Sequence, residues 1–146
     1  MSIAIDNLQS AFAHAESIRP KVGGFPYLAE VLRQAGVRRN FWYLPSCQST
    51  FITRGGAVTI QGEPLVQGMV EVPDFDQTAL IRALRADQAG ETTFPEFLLA
   101  SWQAGVVHYD VDFEARTVSY YGVDGEVYVE EYPEVRLTHA QLEIRT

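Results

Sequence analysis

The chain has 146 residues and a mass of 16.3 kDa, with 47% hydrophobic and 21% charged residues. That size and balance predict one globular domain, 1–146, and exclude a disordered chain. Nineteen acids against eleven bases give a formal charge of -8, which excludes a protein that grips nucleic acid by its backbone.

No apolar run approaches the length of a membrane span, no basic-then-apolar leader is read, and the lone Cys47 excludes an internal disulfide. A cytoplasmic protein with no membrane or nucleic-acid partner is the expectation. Along the chain, Asp6 with Gln9 reads as a capping box. Ile5, Leu8, Phe12 and Ala15 then recur at helical spacing, which predicts a helix over 7–18 ended by Pro20. After the connector RPKVGG, Pro26 opens a second helix with Leu28, Val31, Leu32 and Ala35 on its apolar face and Gly36 as its stop. Segments 40–44, 49–53 and 57–61 read as strands, the last two joined by Arg54-Gly55-Gly56, and 65–72 is expected to extend the sheet.

Asp74 with Gln77 gives a second capping box, opening a helix with Leu80, Ile81, Leu84 and Gln88 on one face and Gly90 at its end. Thr93 with Glu96 gives a third, for a helix that stops at Gly105. In VVHYDVDFE, Val107, Tyr109, Val111 and Phe113 alternate with His108, Asp110, Asp112 and Glu114, the pattern of a strand with one wet face. Strands at 117–121 and 126–132 follow, joined by Val123-Asp124-Gly125. Residues 133–146 show no clear period.

The order helix, helix, three strands therefore occurs twice. FPYLAEVLRQAGV at 25–37 matches FPEFLLASWQAGV at 94–106 in six of thirteen positions, at a shift of 69. Without a gap, that shift also pairs Gly56 with Gly125, Val58 with Val127 and Pro64 with Pro133. Nine identities fall in 40 positions, where ordinary composition gives about two or three. The predicted fold is α+β: an antiparallel sheet with helices packed on one side, made of two αα-βββ pseudo-repeats, about 5–72 and 74–135, with a tail over 136–146. Residues 1–73 carry six bases and five acids, a net of +1, and residues 74–146 carry five bases and fourteen acids, a net of -9. The basic, aromatic RRNFWYLPSC at 38–47 aligns with the acidic VHYDVDFEAR at 107–116, so the seam between the halves is polarised and is a place for a pocket.

Several side chains have chemistry to offer. Cys47 is a nucleophile if His108 or another histidine lowers its pKa, and otherwise a packed thiol. His108, Asp110 and Asp112 project from one strand face about 6.5–7 Å apart, too wide to chelate a metal alone; they hold a hard cation only if Glu126, Tyr128 and Glu130 on a later strand add oxygens, and are otherwise a solvated sheet face, so no metal or other cofactor is expected. Arg19, Lys21, Gly23 and Gly24 precede a helix and can cradle an anion or form a plain glycine turn. Arg38, Arg39 and Arg54 with Trp42 can stack a flat ligand, although alternation places Phe41 and Tyr43 opposite Trp42. Asp110, Asp112, Tyr128 and Glu130 are read as an acidic, tyrosine-rich sheet face for docking.

RPKVGGFPYLAEVLRQAGV, LPSCQS, PDFDQTALIRALRADQAGETTFPEFL and AGVVHYDVDFEARTVSYYG resemble the YdfO/YbcV-like family of small bacterial proteins, some of them prophage-encoded. The resemblance spans roughly residues 5–135. It implies an α+β fold, a cytoplasmic location and no catalytic residues to carry over. The envelope label borne by some relatives finds no signal, span or lipidation motif here. Three functions follow as expectations. The first is a non-enzymatic interaction module whose acidic face docks a basic protein partner or, through Arg38 and Arg39, a second copy of the chain. The second is an enzyme with Cys47, His108 and Arg54 at the seam. The third is a phage-derived acidic accessory protein that binds a basic host partner by mimicking nucleic acid.

Overall fold

The computed structural model describes residues 2–142. Helix α1 (Ile3–Ile18) begins earlier than the Asp6–Gln9 spacing predicts, because the Ser2 hydroxyl accepts a hydrogen bond from the Ile5 N–H at 3.3 Å. Asp6 falls instead in the first turn, where its carboxylate meets the positive end of the helix. Helix α2 (Phe25–Gln34) carries Pro26 in its first turn. Strands β1 (Val37–Tyr43), β2 (Gln48–Thr53) and β3 (Gly56–Gln61) follow as a meander.

Residues 65–72 do not extend the sheet. Pro64 and Pro73 lack N–H groups and Gly68 takes a φ of 68°, so 62–76 runs as an irregular linker from β3 to the next helix. Leu65 and Val66 pack on the core while Met69 is fully exposed. Helix α3 (Gln77–Gln88) is capped by Asp76 rather than Asp74, its carboxylate accepting from the Ala79 N–H at 3.0 Å. Helix α4 (Phe94–Gln103) has the capping box that Thr93 and Glu96 predict. Strands β4 (His108–Asp112), β5 (Thr117–Tyr121) and β6 (Val127–Glu131) form a second meander, and a short α5 (His139–Leu142) ends the described chain. Residues 143–146 of the ambiguous tail lie outside the described residues. The rest of the tail returns to the first half, where Leu137 and Leu142 border a groove with Val31 and the His14 ring hydrogen-bonds the Gln141 carbonyl.

All six strands join one antiparallel sheet in the order β3-β2-β1-β4-β5-β6, so the molecule is α+β as expected. The two meanders meet at β1 and β4, with Arg39 opposite Asp112, Phe41 opposite Asp110 and Tyr43 opposite His108. The Leu44 N–H bonds the Val107 carbonyl at 2.9 Å and the Phe113 N–H bonds the Arg38 carbonyl at 3.2 Å. These are the same bond at positions 69 apart, made in both directions across the seam. Cys47 and Arg116, also 69 apart, both have a φ of 55° in the turn after the first strand of their meander.

The helices cover one face. Asn40, Phe51, Val58, Tyr109, Val111, Phe113, Val118 and Tyr120 point into that layer and are buried against Leu8, Leu32, Leu80, Leu84 and Leu98. Alternation then sends their neighbours to the other face, which no described helix covers.

Candidate functional site

The strand registers define what the uncovered face carries. One row crosses the sheet as Gln61, Gln48, Tyr43, His108, Tyr121 and Val127. The next is Thr59, Thr50, Phe41, Asp110, Ser119 and Val129, and the third is Ala57, Ile52, Arg39, Asp112, Thr117 and Glu131. Four apolar side chains stand well out on this face: Phe41 is 39% exposed, Tyr43 51%, Val127 49% and Val129 52%. Side chains of this size are costly to leave in water; Phe41 and Tyr43 stand side by side on β1, and Val127 and Val129 on β6, with β4 and β5 between the two pairs.

At the seam, the β1 segment Phe41-Trp42-Tyr43 with Gln48, Thr50, His108 and Asp110 surrounds a shallow depression of about 400 Å³. The His108 ring stacks on Tyr121, with centroids 4.5 Å apart, and its Nδ1 is 3.9 Å from an Asp110 oxygen. The Arg39 guanidinium lies 5.4 Å from the Phe41 centroid and 3.9 Å from the Asp112 carboxylate. Burial among its neighbours raises the Asp110 carboxyl above its ordinary range, against the opposing pull of His108 and Arg39.

The predicted acidic docking face divides across the sheet. Asp110 and Asp112 are on the uncovered face, but Tyr128 pairs with Tyr120 and Glu130 with Val118, which puts both on the helix side. Glu130 is already engaged there by Arg85 at 2.6 Å, Tyr128 at 2.7 Å and Gln88 at 3.1 Å. Burial works to raise the Glu130 carboxyl, yet these bonds together hold it below its ordinary range. Val-Tyr-Val-Glu alternates with either phase, so alternation alone does not decide whether Tyr128 and Glu130 face outward. The loop holds three residues, Val123-Asp124-Gly125, closed by the Gly122 N–H on the Glu126 carbonyl at 2.8 Å, and this sets Tyr120 against Tyr128 and turns Val127 and Val129 outward; a two-residue Asp-Gly turn would give the opposite phase.

Trp42 also belongs to the interior. It stacks on Tyr109 at 6.0 Å and meets Phe94 edge-on at 5.2 Å, as the opposition to Phe41 and Tyr43 implied. A flat-ligand site joining Trp42 to Arg39 is therefore split by the sheet. Arg38 is exposed beside the seam, and Arg54 sits in the β2–β3 turn against Gly36. Cys47 precedes β2 and Arg54 follows it, so about 20 Å of strand separates them. Cys47 packs against the core, and burial raises its thiol pKa instead of activating it. His108 stands on the uncovered face with Asp110 and Tyr121, so the proposed Cys47, His108 and Arg54 constellation does not assemble.

The connector with Arg19, Lys21, Gly23 and Gly24 is used structurally. The Gly23 N–H donates to the Gln88 carbonyl at 3.1 Å, and Lys21 lies against Gly90. A Cβ on Gly24 would come within 2.2 Å of the Pro20 oxygen, so the glycine answers a close backbone approach. Among the described residues, no three His, Cys, Asp or Glu side chains are grouped to hold a metal ion. No described helix is long and apolar enough to cross a membrane.

Fold and face together define a two-layer α+β protein with one sheet surface left open and aromatic. The chain belongs to the family described as proteins of unknown function, DUF1398, whose family model matches residues 15–131. It is 55% identical over 135 residues to uncharacterized protein Rv2012 of Mycobacterium tuberculosis and to uncharacterized protein Mb2035 of Mycobacterium bovis. Those alignments cover 92% of this chain and 82% of each relative.

Proposed function

We propose that the protein is an interaction module and that the uncovered face of its sheet is the docking surface. The observation that carries this reading is the exposure of Phe41 and Tyr43 at the seam and of Val127 and Val129 on β6, all on a face that no described helix shields. Tyrosine and phenylalanine anchors surrounded by hydrogen-bonding side chains such as Gln48, Thr50 and Ser119 are the composition of an interface centre. The face bears one arginine against Asp110, Asp112 and Glu131, which favours a protein surface over a phosphate backbone. The packed Cys47, its thiol pKa raised, gives an enzymatic reading no activated nucleophile.

Site-specific photocrosslinking in cells tests the proposal. A crosslinking residue at Tyr43 or Val129 is expected to give a protein adduct, while one at Leu99, on the outer side of α4, is not. Absence of adducts from both sheet positions overturns the reading.

A further inference from the structure

We infer that the occupant of the open face is a second copy of the chain, stacked sheet to sheet about a two-fold axis that runs along the strands between β1 and β4. The inference rests on the docking reading above and adds the partner to it. Such an axis carries each row onto itself and places β1 of one copy over β4 of the other. Arg39 then faces the partner's Asp112, and Asp112 faces the partner's Arg39. With the existing pair between Arg39 and Asp112 at 3.9 Å, this makes a square of alternating charge at the centre of the contact. The guanidinium has donors to spare for the second carboxylate, since 3.9 Å is long for a hydrogen-bonded pair and the group offers five N–H donors.

The same axis sets Tyr43 on the partner's His108 and Val129 on the partner's Thr59. A two-fold axis across the strands is the other way to stack two such sheets. It would set Asp110 on the partner's Asp110 and leave Arg39 facing the partner's Tyr43, with no carboxylate opposite it. The charges therefore select the axis along the strands. Stacked sheets keep their strands nearly aligned, and this arrangement does so.

Area sets the strength. Six strands about 4.8 Å apart and about five residues long give a face of roughly 29 by 17 Å, or about 500 Å² per copy. Two such faces bury roughly 1,000 Å², the lower limit of a specific interface, so the dimer is reversible rather than obligate.

Sedimentation velocity of the full chain from micromolar to sub-millimolar concentration provides the test. The wild type is expected to shift from monomer to dimer. Arg39→Glu alone and Asp112→Arg alone each place like charges in register, and each is expected to weaken self-association at least about tenfold. An equimolar mixture of the two variants restores attraction at both contacts and is expected to form a heterodimer. Val129→Arg, at an exposed position outside the charge square, is expected to give a folded monomer even if a charge variant fails to fold. A wild type that stays monomeric, a Val129→Arg chain that still dimerises, or folded charge variants that fail to complement would each overturn the inference. Adducts to a different protein in the crosslinking experiment, with a monomeric wild type, would overturn the second copy while leaving the docking surface standing.

Discussion

The two halves of the molecule follow one backbone plan and spend their side chains differently. Each is a helix pair followed by a three-stranded meander, with a left-handed residue after its first strand at Cys47 or Arg116. At the seam the first half contributes Arg39, Phe41 and Tyr43, and the second answers with Asp112, Asp110 and His108. On the helix side, Glu130 pairs with Val118 and is tied to Arg85, whereas the matching place in the first meander, opposite Ser49, holds the apolar Ile60. The order of elements is shared by the halves, but β6 is one residue out of step with β3, so that Val58 is buried on the helix side and Val127, 69 residues on, stands on the open face; opposite charge separates the two seam strands further. A surface that spans both halves can therefore be complementary to itself.

The comparison is tested most severely in the core. Leu44 and Phe113 occupy matching positions and are both fully buried. Phe113→Ala is expected to lose about 3–5 kcal/mol and Leu44→Ala somewhat less within about 2–5 kcal/mol. Urea denaturation reads the order, and a larger loss at Leu44 would break the parallel.

Gly36 and Gly105 sharpen it. Both end a helix, with φ of 97° and 89°. A Cβ at Gly36 would meet the flexible Arg54 side chain at 3.0 Å, but at Gly105 it would meet the backbone of Asp74 and Phe75 at 2.5 Å. Gly36→Ala is expected to cost about 1–2 kcal/mol from the left-handed backbone alone, and Gly105→Ala more than about 3 kcal/mol once the backbone clash is added. Thermal melts of the two variants should differ accordingly.

Glu130→Gln comes next, with an expected loss of about 1–3 kcal/mol at neutral pH. The folded pKa of Glu130 lies below its unfolded value, so its contribution is complete above the ordinary glutamate range and disappears as pH falls through the folded pKa. Stability curves of wild type and variant should converge in acid. Gln61→Ala, at an exposed position on the open face, should change stability by no more than about 0.5 kcal/mol.

The smallest effect is expected at Asp87, whose counterpart is the apolar Ile18. Burial raises the Asp87 carboxyl, with Arg19 pulling the other way. A raised folded pKa means that the native state binds the proton more tightly, so the charged form costs stability above that pKa. Asp87→Asn is expected to gain about 0.5 kcal/mol at neutral pH. The gain should fade as the solution is acidified.

Most of this architecture was legible where one residue type has a single local use. Thr93 with Glu96, Pro26 in a first turn, Gly36 and Gly105 as stops, and the alternation from Val107 to Phe113 each predict the element that forms. Asp6 and Asp74 misled because a carboxylate serves equally as a cap or within a first turn, and Ser2 and Asp76 were better placed to cap. The segment 65–72 looked like a strand because it is apolar, yet part of it packs on the core and Met69 does not. The candidate face was half legible. Phe41, Tyr43, Asp110 and Asp112 were assigned their side by alternation around Trp42 and Tyr109. Val127 and Val129 were missed because the side that β6 presents depends on whether the loop after β5 holds two residues or three, and Val123-Asp124-Gly125 allows both.

Hydroxyl-radical footprinting of Phe41 and Tyr43, in cells and in dilute purified chain, tests the open face most directly. A docking surface predicts that both rings are labelled in dilute solution and protected in cells, while Phe94 and Leu99 on α4 are labelled equally in both. Equal labelling of Phe41 and Tyr43 under the two conditions would contradict the account.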